Sequence, residues 1–156
     1  MPRRPLIAAA LLAVLFALPL AVVLAEEGVF EKTIPFPRGR EGEVGITYEK
    51  CTIRSLEARN YPSDEDIQKA RANDPKDSSW IWWQFEVDNK GAMKFKLKLF
   101  VEVLDKAGKV VTSSDRGVTI DGFASESYRI SGRMKTLDAA DSPKVRVRAQ
   151  FIHDKK

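Results

Sequence analysis

Residues 80–111 alternate apolar and polar side chains in two successive runs, WIWWQFEV and FKLKLFVEV, parted by Asn89-Lys90-Gly91 and closed by Asp105-Lys106-Ala107-Gly108. A period of two sends successive side chains to opposite faces of a strand, so each run has one face for a core and one for water. In the first run Ile81, Trp83, Phe85 and Val87 share a face, while Trp80, Trp82, Gln84, Glu86 and Asp88 share the other. In the second, Phe95, Leu97, Leu99, Val101 and Val103 turn inward, and Lys94, Lys96, Lys98 and Glu102 turn outward. Burying five such apolar side chains contributes on the order of 10 kcal/mol gross. A chain that contains this strand must fold around it.

Further strands follow by the same reading. Val44, Ile46 and Tyr48 alternate, and Cys51, Ile53 and Ser55 resume after a one-residue slip, which reads as one strand bulged near Glu49 and Lys50. A short strand is expected over 109–112 and another at Val118 and Ile120; Tyr128 and Ile130 point inward from the next. Val145, Val147, Ala149 and Phe151 alternate with Arg146, Arg148 and Gln150 in the last. Within the polar segment 59–79, Ser63-Asp64-Glu65-Asp66 has the form of a capping box opening a short helix through about Ala72, with Asn73-Asp74-Pro75 to stop it. Residues 133–143 read as a loop with a helical turn. The expected fold is all-β: an immunoglobulin-like antiparallel sandwich of about seven strands with one short helix in a long polar loop.

The first 25 residues stand apart. Arg3 and Arg4 precede an uncharged apolar run, residues 6–25, and Val23 and Ala25 put small residues where a signal peptidase reads, so residues 1–25 are expected to be a cleaved signal peptide. The alternative is an uncleaved membrane anchor, for which about 20 apolar residues suffice. Removing Arg3 and Arg4 with this segment lowers Lys+Arg from 26 to 24 against 22 acids, a net charge of +2. The expected organisation is a leader or tether over 26–43 with one short edge strand, a sandwich over 44–152, and a tail over 153–156. The location is an exported one, periplasmic or secreted. Cys51 is the only cysteine, so no internal disulfide can form, and it reads as a small buried apolar residue.

The tracts VDNKG (87–91), VEVLDKAGKVV (101–111) and IDGFASESYRI (120–130) resemble the bacterial FxLYD-type domain, an exported immunoglobulin-like sandwich related in form to LEA14-like domains. The resemblance covers roughly 44–151, with Leu104 where an aromatic usually precedes the aspartate. It implies a binding or accessory module and no active site. It also implies that Asn89-Lys90-Gly91 arches from one sheet to the other, whereas the residues alone allow a tight hairpin with Phe85 opposite Phe95. The arch is the favoured reading.

With the arch, the strand bearing Lys94, Lys96 and Lys98 is expected in one sheet with the strands bearing Arg129 and Arg146 with Arg148, a basic face for an anionic partner or simply a solvated one. Trp80 and Trp82, two indoles on one outer face, could form a stacking platform for a sugar; the preferred expectation is that the helix near Ser63 folds back and covers them. His153, the only histidine, is placed in the tail, which leaves a Ser/His/Asp or Cys/His arrangement without a base, and no phosphate-binding Gly-rich loop occurs. The acids Asp64, Glu65 and Asp66 suit a first helical turn better than a metal site. No enzyme activity, cofactor or metal is expected. The function read is an exported, non-catalytic interaction module of the bacterial envelope with another envelope protein as partner; the alternative is a ligand-binding domain for carbohydrate or anionic lipid. Nucleic acid is not expected, since the charge is balanced after export.

Overall fold

A computed structural model describes residues 28–154. The expected signal peptide, residues 1–25, lies outside them, as do Lys155 and Lys156. The elements run β1 (Val29–Pro35), β2 (Glu41–Tyr48), β3 (Cys51–Arg59), α1 (Asp64–Ala72), β4 (Ser78–Asn89), β5 (Phe95–Leu104), β6 (Val110–Ile120), β7 (Ser125–Lys135), α2 (Thr136–Asp141) and β8 (Lys144–His153). The strands pair antiparallel into two four-stranded sheets, β1-β8-β5-β6 and β2-β3-β4-β7, packed face to face as an all-β sandwich. No helix among the described residues is long and apolar enough to cross a membrane.

The alternation of β4 and β5 sets the core. Trp83, Phe85 and Val87 of β4 meet Phe95, Leu97, Leu99 and Val101 of β5 in one buried cluster, joined by Val145, Val147 and Phe151 of β8. Each of the two strands is internal to its sheet, β4 between β3 and β7, β5 between β8 and β6. Every buried apolar residue among those described falls between Ile34 and Phe151, so a chain starting at Glu26 carries all of them.

The Asn89-Lys90-Gly91 turn is the inter-sheet arch. Buried Asn89 holds it: its Nδ2 donates to the carbonyls of Met93 (2.6 Å) and Asp121 (2.9 Å), and its Oδ1 accepts from the Gly91 amide (3.1 Å). Its own amide donates to the Ala124 carbonyl at 2.8 Å, which ties the arch to the β6–β7 turn. Those turns meet so closely that a Cβ at Gly122 would collide with the Ala92 carbonyl. Only glycine fits there.

Several expectations are corrected by strand pairing. Much of segment 26–43, expected as a tether, is built into the sandwich: β1 pairs with β8 from Val29–Gln150 to Pro35–Lys144, and β2 opens at Glu41. The edge strand leaves Phe30, Glu31, Lys32 and Thr33 exposed and buries only Ile34, so it carries almost no alternation. Glu49 and Lys50 form a two-residue turn between β2 and β3, with Glu49 in the left-handed region (φ 52°), where a bulge in a single strand was expected. The two short strands expected near 109–112 and 118–120 are one eleven-residue strand, β6. β8 continues through His153, which is therefore not in a tail. The helix α1 does span Asp64–Ala72, with Ser63 and Asp66 exchanging the two capping-box hydrogen bonds.

Candidate functional site

The outer face of the β1-β8-β5-β6 sheet carries most of the expected basic cluster, but its cations are largely matched. Lys94 pairs with Asp121 (2.7 Å) and Lys96 with Asp154 (2.8 Å). Glu102 of β5 lies beside β8 and takes Arg146 at 2.6 Å and Arg148 at 3.8 Å. The hydrogen bond and charge of Asp121 hold the Lys94 ammonium above its usual pKa. Lys98 and Arg148 each make a cation–π contact with the ring of Phe100, at 5.0 and 4.6 Å from its centroid. Lys96 and Lys98 also wall a shallow groove of about 340 Å³ with Gly117, Val118 and Ile152.

Arg129 does not belong to this face. β7 pairs with β4, not β5, so Arg129 lies on the opposite sheet and corrects the expected grouping. Its guanidinium sits 4.6 Å from the centroid of the Trp82 ring. Sequence cannot show this, because outward alternation on β7 is the same whichever sheet receives it.

The outer face of the β2-β3-β4-β7 sheet has a different character. Trp80 is 55% exposed and Trp82 38%, whereas Trp83, one residue on, is 2% exposed. The expected cover is absent. α1 packs against α2 at the end of the sandwich, with Arg71 paired to Asp141, and Tyr61 donates to the Ala139 carbonyl at 3.0 Å. Thr136 reaches back to Asp77 through both its amide and its hydroxyl. The polar segment thus closes the sandwich end and leaves Trp80 more than half exposed and Trp82 exposed over about a third of its surface. β-Pairing sets Arg59 beside Trp82 and Arg133 beside Trp80, so guanidinium groups rim the aromatic pair from both flanking strands. Arg59 is held by Glu57 (2.8 Å), and Arg133 donates to Ser78 Oγ (2.7 Å). Arg59 and Arg133 escaped the sequence reading, since their nearness depends on register.

Further along β4, Glu86 accepts from Ser127 Oγ (2.6 Å) and Gln84 Nε2 (2.9 Å). Partial burial would raise its pKa, but these hydrogen bonds, with the charges of Arg54 and Arg59, outweigh that and hold the carboxyl below its usual range. Asp88 is fixed by Arg54 at 2.8 Å. The face therefore runs from aromatic and guanidinium groups at Trp80 to the carboxyl groups of Glu86 and Asp88.

The remaining reactive groups are structural in their surroundings. Burial, reinforced by the Asp88 charge, pushes the Cys51 thiol up to about 11, which keeps it protonated and unreactive. His153 lies 3.4 Å from the Tyr48 hydroxyl and 3.1 Å from Glu49, with its ring edge-on to Phe95. Among the described residues no cluster of His, Cys, Asp and Glu could hold a metal ion. The recess of about 660 Å³ near Arg38, Arg40 and Lys106 is floored by Phe36 and Pro143. Arg38 is occupied there, donating to the Ala140 and Ser142 carbonyls and stacking on Phe36 and Tyr61.

Fold and surface together define an all-β sandwich with one bare aromatic face. No family model matches the chain, and no curated protein matches it. Among solved structures it is similar to a β-glucuronidase from glycoside hydrolase family 2, at 18% identity and a TM-score of 0.37, over 52% of this chain and 7% of that one.

Proposed function

We propose that the protein is an exported, non-catalytic binding module that engages another protein of the cell envelope through the outer face of β4, centred on Trp80 and Trp82. The observation that carries this is the exposure of two indoles on one face, Trp80 and Trp82, inside a rim of Arg59, Arg129 and Arg133. Tryptophan and arginine are among the residues that dominate protein interfaces energetically, tryptophan through a large rigid contact area and arginine through a planar fork of donors that also stacks on aromatic rings. Arg129 stacked on Trp82 fixes one such pair in advance. The signal-peptide layout of residues 1–25 and the resemblance to FxLYD-type domains support export and an accessory role.

A photoreactive residue placed at Ser131, beside Trp82, should crosslink one envelope protein in cells, and the crosslink should vanish in W82A. Crosslinking that survives W82A, or that is equally strong from Thr112 on the far sheet, removes the reading. A glycan is the second reading, favoured by the i, i+2 spacing of the indoles, about 7 Å along the strand, next to the hydrogen-bonding groups of Gln84 and Glu57. Retention of purified protein on an insoluble polysaccharide, lost in W80A, selects it over the protein partner.

A further inference from the structure

We propose that the loop end of the sandwich, built from the Glu49-Lys50 turn, the arch and the β6–β7 turn, rests on an anionic phospholipid surface. Phe123 is 76% exposed at the tip of the β6–β7 turn, and its backbone is left-handed (φ 57°), a conformation that costs an aromatic residue free energy. That conformation is fixed from below, because the Phe123 amide donates to the Gly91 carbonyl at 2.9 Å and Gly122 abuts Ala92. Met93, 45% exposed, stands next to this contact. Rigid loops thus hold two large apolar side chains out in water.

Lysines surround them. Lys90 donates its amide to the Lys50 carbonyl at 2.9 Å, and neither side chain has an ion pair among the described residues, while Lys94 is paired with Asp121. An apolar tip beside Lys50 and Lys90 matches a bilayer interface, where the ring of phenylalanine enters the acyl boundary and lysines meet phosphate. Direction of the chain agrees. β1 starts opposite Gln150, and Gly28 accepts from the Phe151 amide, so the polypeptide joins the sandwich at this same end. Between the apolar run that ends at Ala25 and Gly28 lie only Glu26 and Glu27, and three residues reach at most about 10 Å. A bilayer that retained the apolar run of residues 6–25 would face the end of the sandwich that carries Phe123 and Met93. Trp80, nine residues from Asn89 along β4, then projects about 30 Å away from the surface.

This inference shares the export reading but uses none of the Trp80–Trp82 face, so either can fail alone. The test is co-sedimentation of residues 26–156 with phosphatidylcholine vesicles lacking or containing phosphatidylglycerol. Binding is expected only with phosphatidylglycerol, at low salt. F123G should weaken it at least about tenfold, the loss expected for one buried aromatic side chain, and K50E/K90E by about tenfold or more. F123G should unfold at the same temperature as the parent or higher, since glycine tolerates the positive φ, which separates lost docking from lost folding. W82A should bind vesicles as the parent does. Equal binding by F123G, equal binding to neutral vesicles, or no binding to either composition overturns the inference.

Discussion

The outer faces of the two sheets come from the same alternation and finish with opposite chemistry. On the β5 side the projecting cations meet partners: Glu102 sits beside β8 and takes both Arg146 and Arg148, and the Phe100 ring is in contact with Lys98 and Arg148. On the β4 side the projecting rings meet water, and the cations that reach them come from neighbouring strands. Alternation decides which residues leave the core; register decides what they find outside. A face rich in lysine and arginine can therefore be electrostatically closed, and a face with no net charge signature can be the open one.

The sharpest way to break this comparison uses two tryptophans on one strand. W83A should cost about 3–5 kcal/mol, the loss for truncating a buried aromatic, and W80A should stay within about 0.5 kcal/mol, as for a surface substitution. Urea unfolding measures both. A cost at Trp80 near that at Trp83 would mean that something covers the β4 face. Next in size is N89A, which leaves the Met93 and Asp121 carbonyls without their shared donor; a loss of about 2 kcal/mol is expected. An unchanged midpoint would show that the arch between the two sheets does not depend on this side chain.

The fold class was legible because β4, β5 and β8 are buried on one face along their whole length, so period two survives in the sequence. The arch was legible through resemblance, and its physical cause, the three side-chain bonds of Asn89, is not visible in composition. What stayed hidden lies at the edges. β1 and the middle of β6 pair by backbone alone with exposed side chains, and such strands show no hydrophobic period. The Glu49-Lys50 turn lacks the Asn-Gly or Asp-Gly usual for two-residue hairpins, so the sequence reads through it. At the candidate site the indoles were legible, but their exposure hung on where the polar segment goes. The hydrogen bonds of Tyr61 and Asp77 carry it to α2.

Charge matching on the β5 face can be undone at one residue. E102Q should cost about 1 kcal/mol and leave Arg146 and Arg148 without a carboxylate. Retention on a phosphocellulose column should then rise more than in E41Q, a charge-matched change on exposed β2. Equal retention in the two variants would show that Glu102 does not mask the arginines, and the contrast between the faces would shrink to the tryptophans alone.

The smallest expected effect concerns Glu86, at the carboxylate end of the β4 face. Its pKa is held below the usual 4.5 in the folded chain. A group depressed on folding contributes stability above its unfolded value, and that contribution disappears as pH falls through the lower folded value. The parent should therefore lose slightly more thermal stability on acidification below about pH 4.5 than E86Q, which has no carboxyl to protonate. Thermal scans across that range read the difference in slope. Parallel slopes would mean that Ser127 and Gln84 serve the carboxyl and the amide equally well, so ionisation of Glu86 adds nothing to the order of the face. A steeper parent makes the ionised carboxylate part of what holds β4 and β7 in register beneath the indoles, since Ser127 is its partner across that pair.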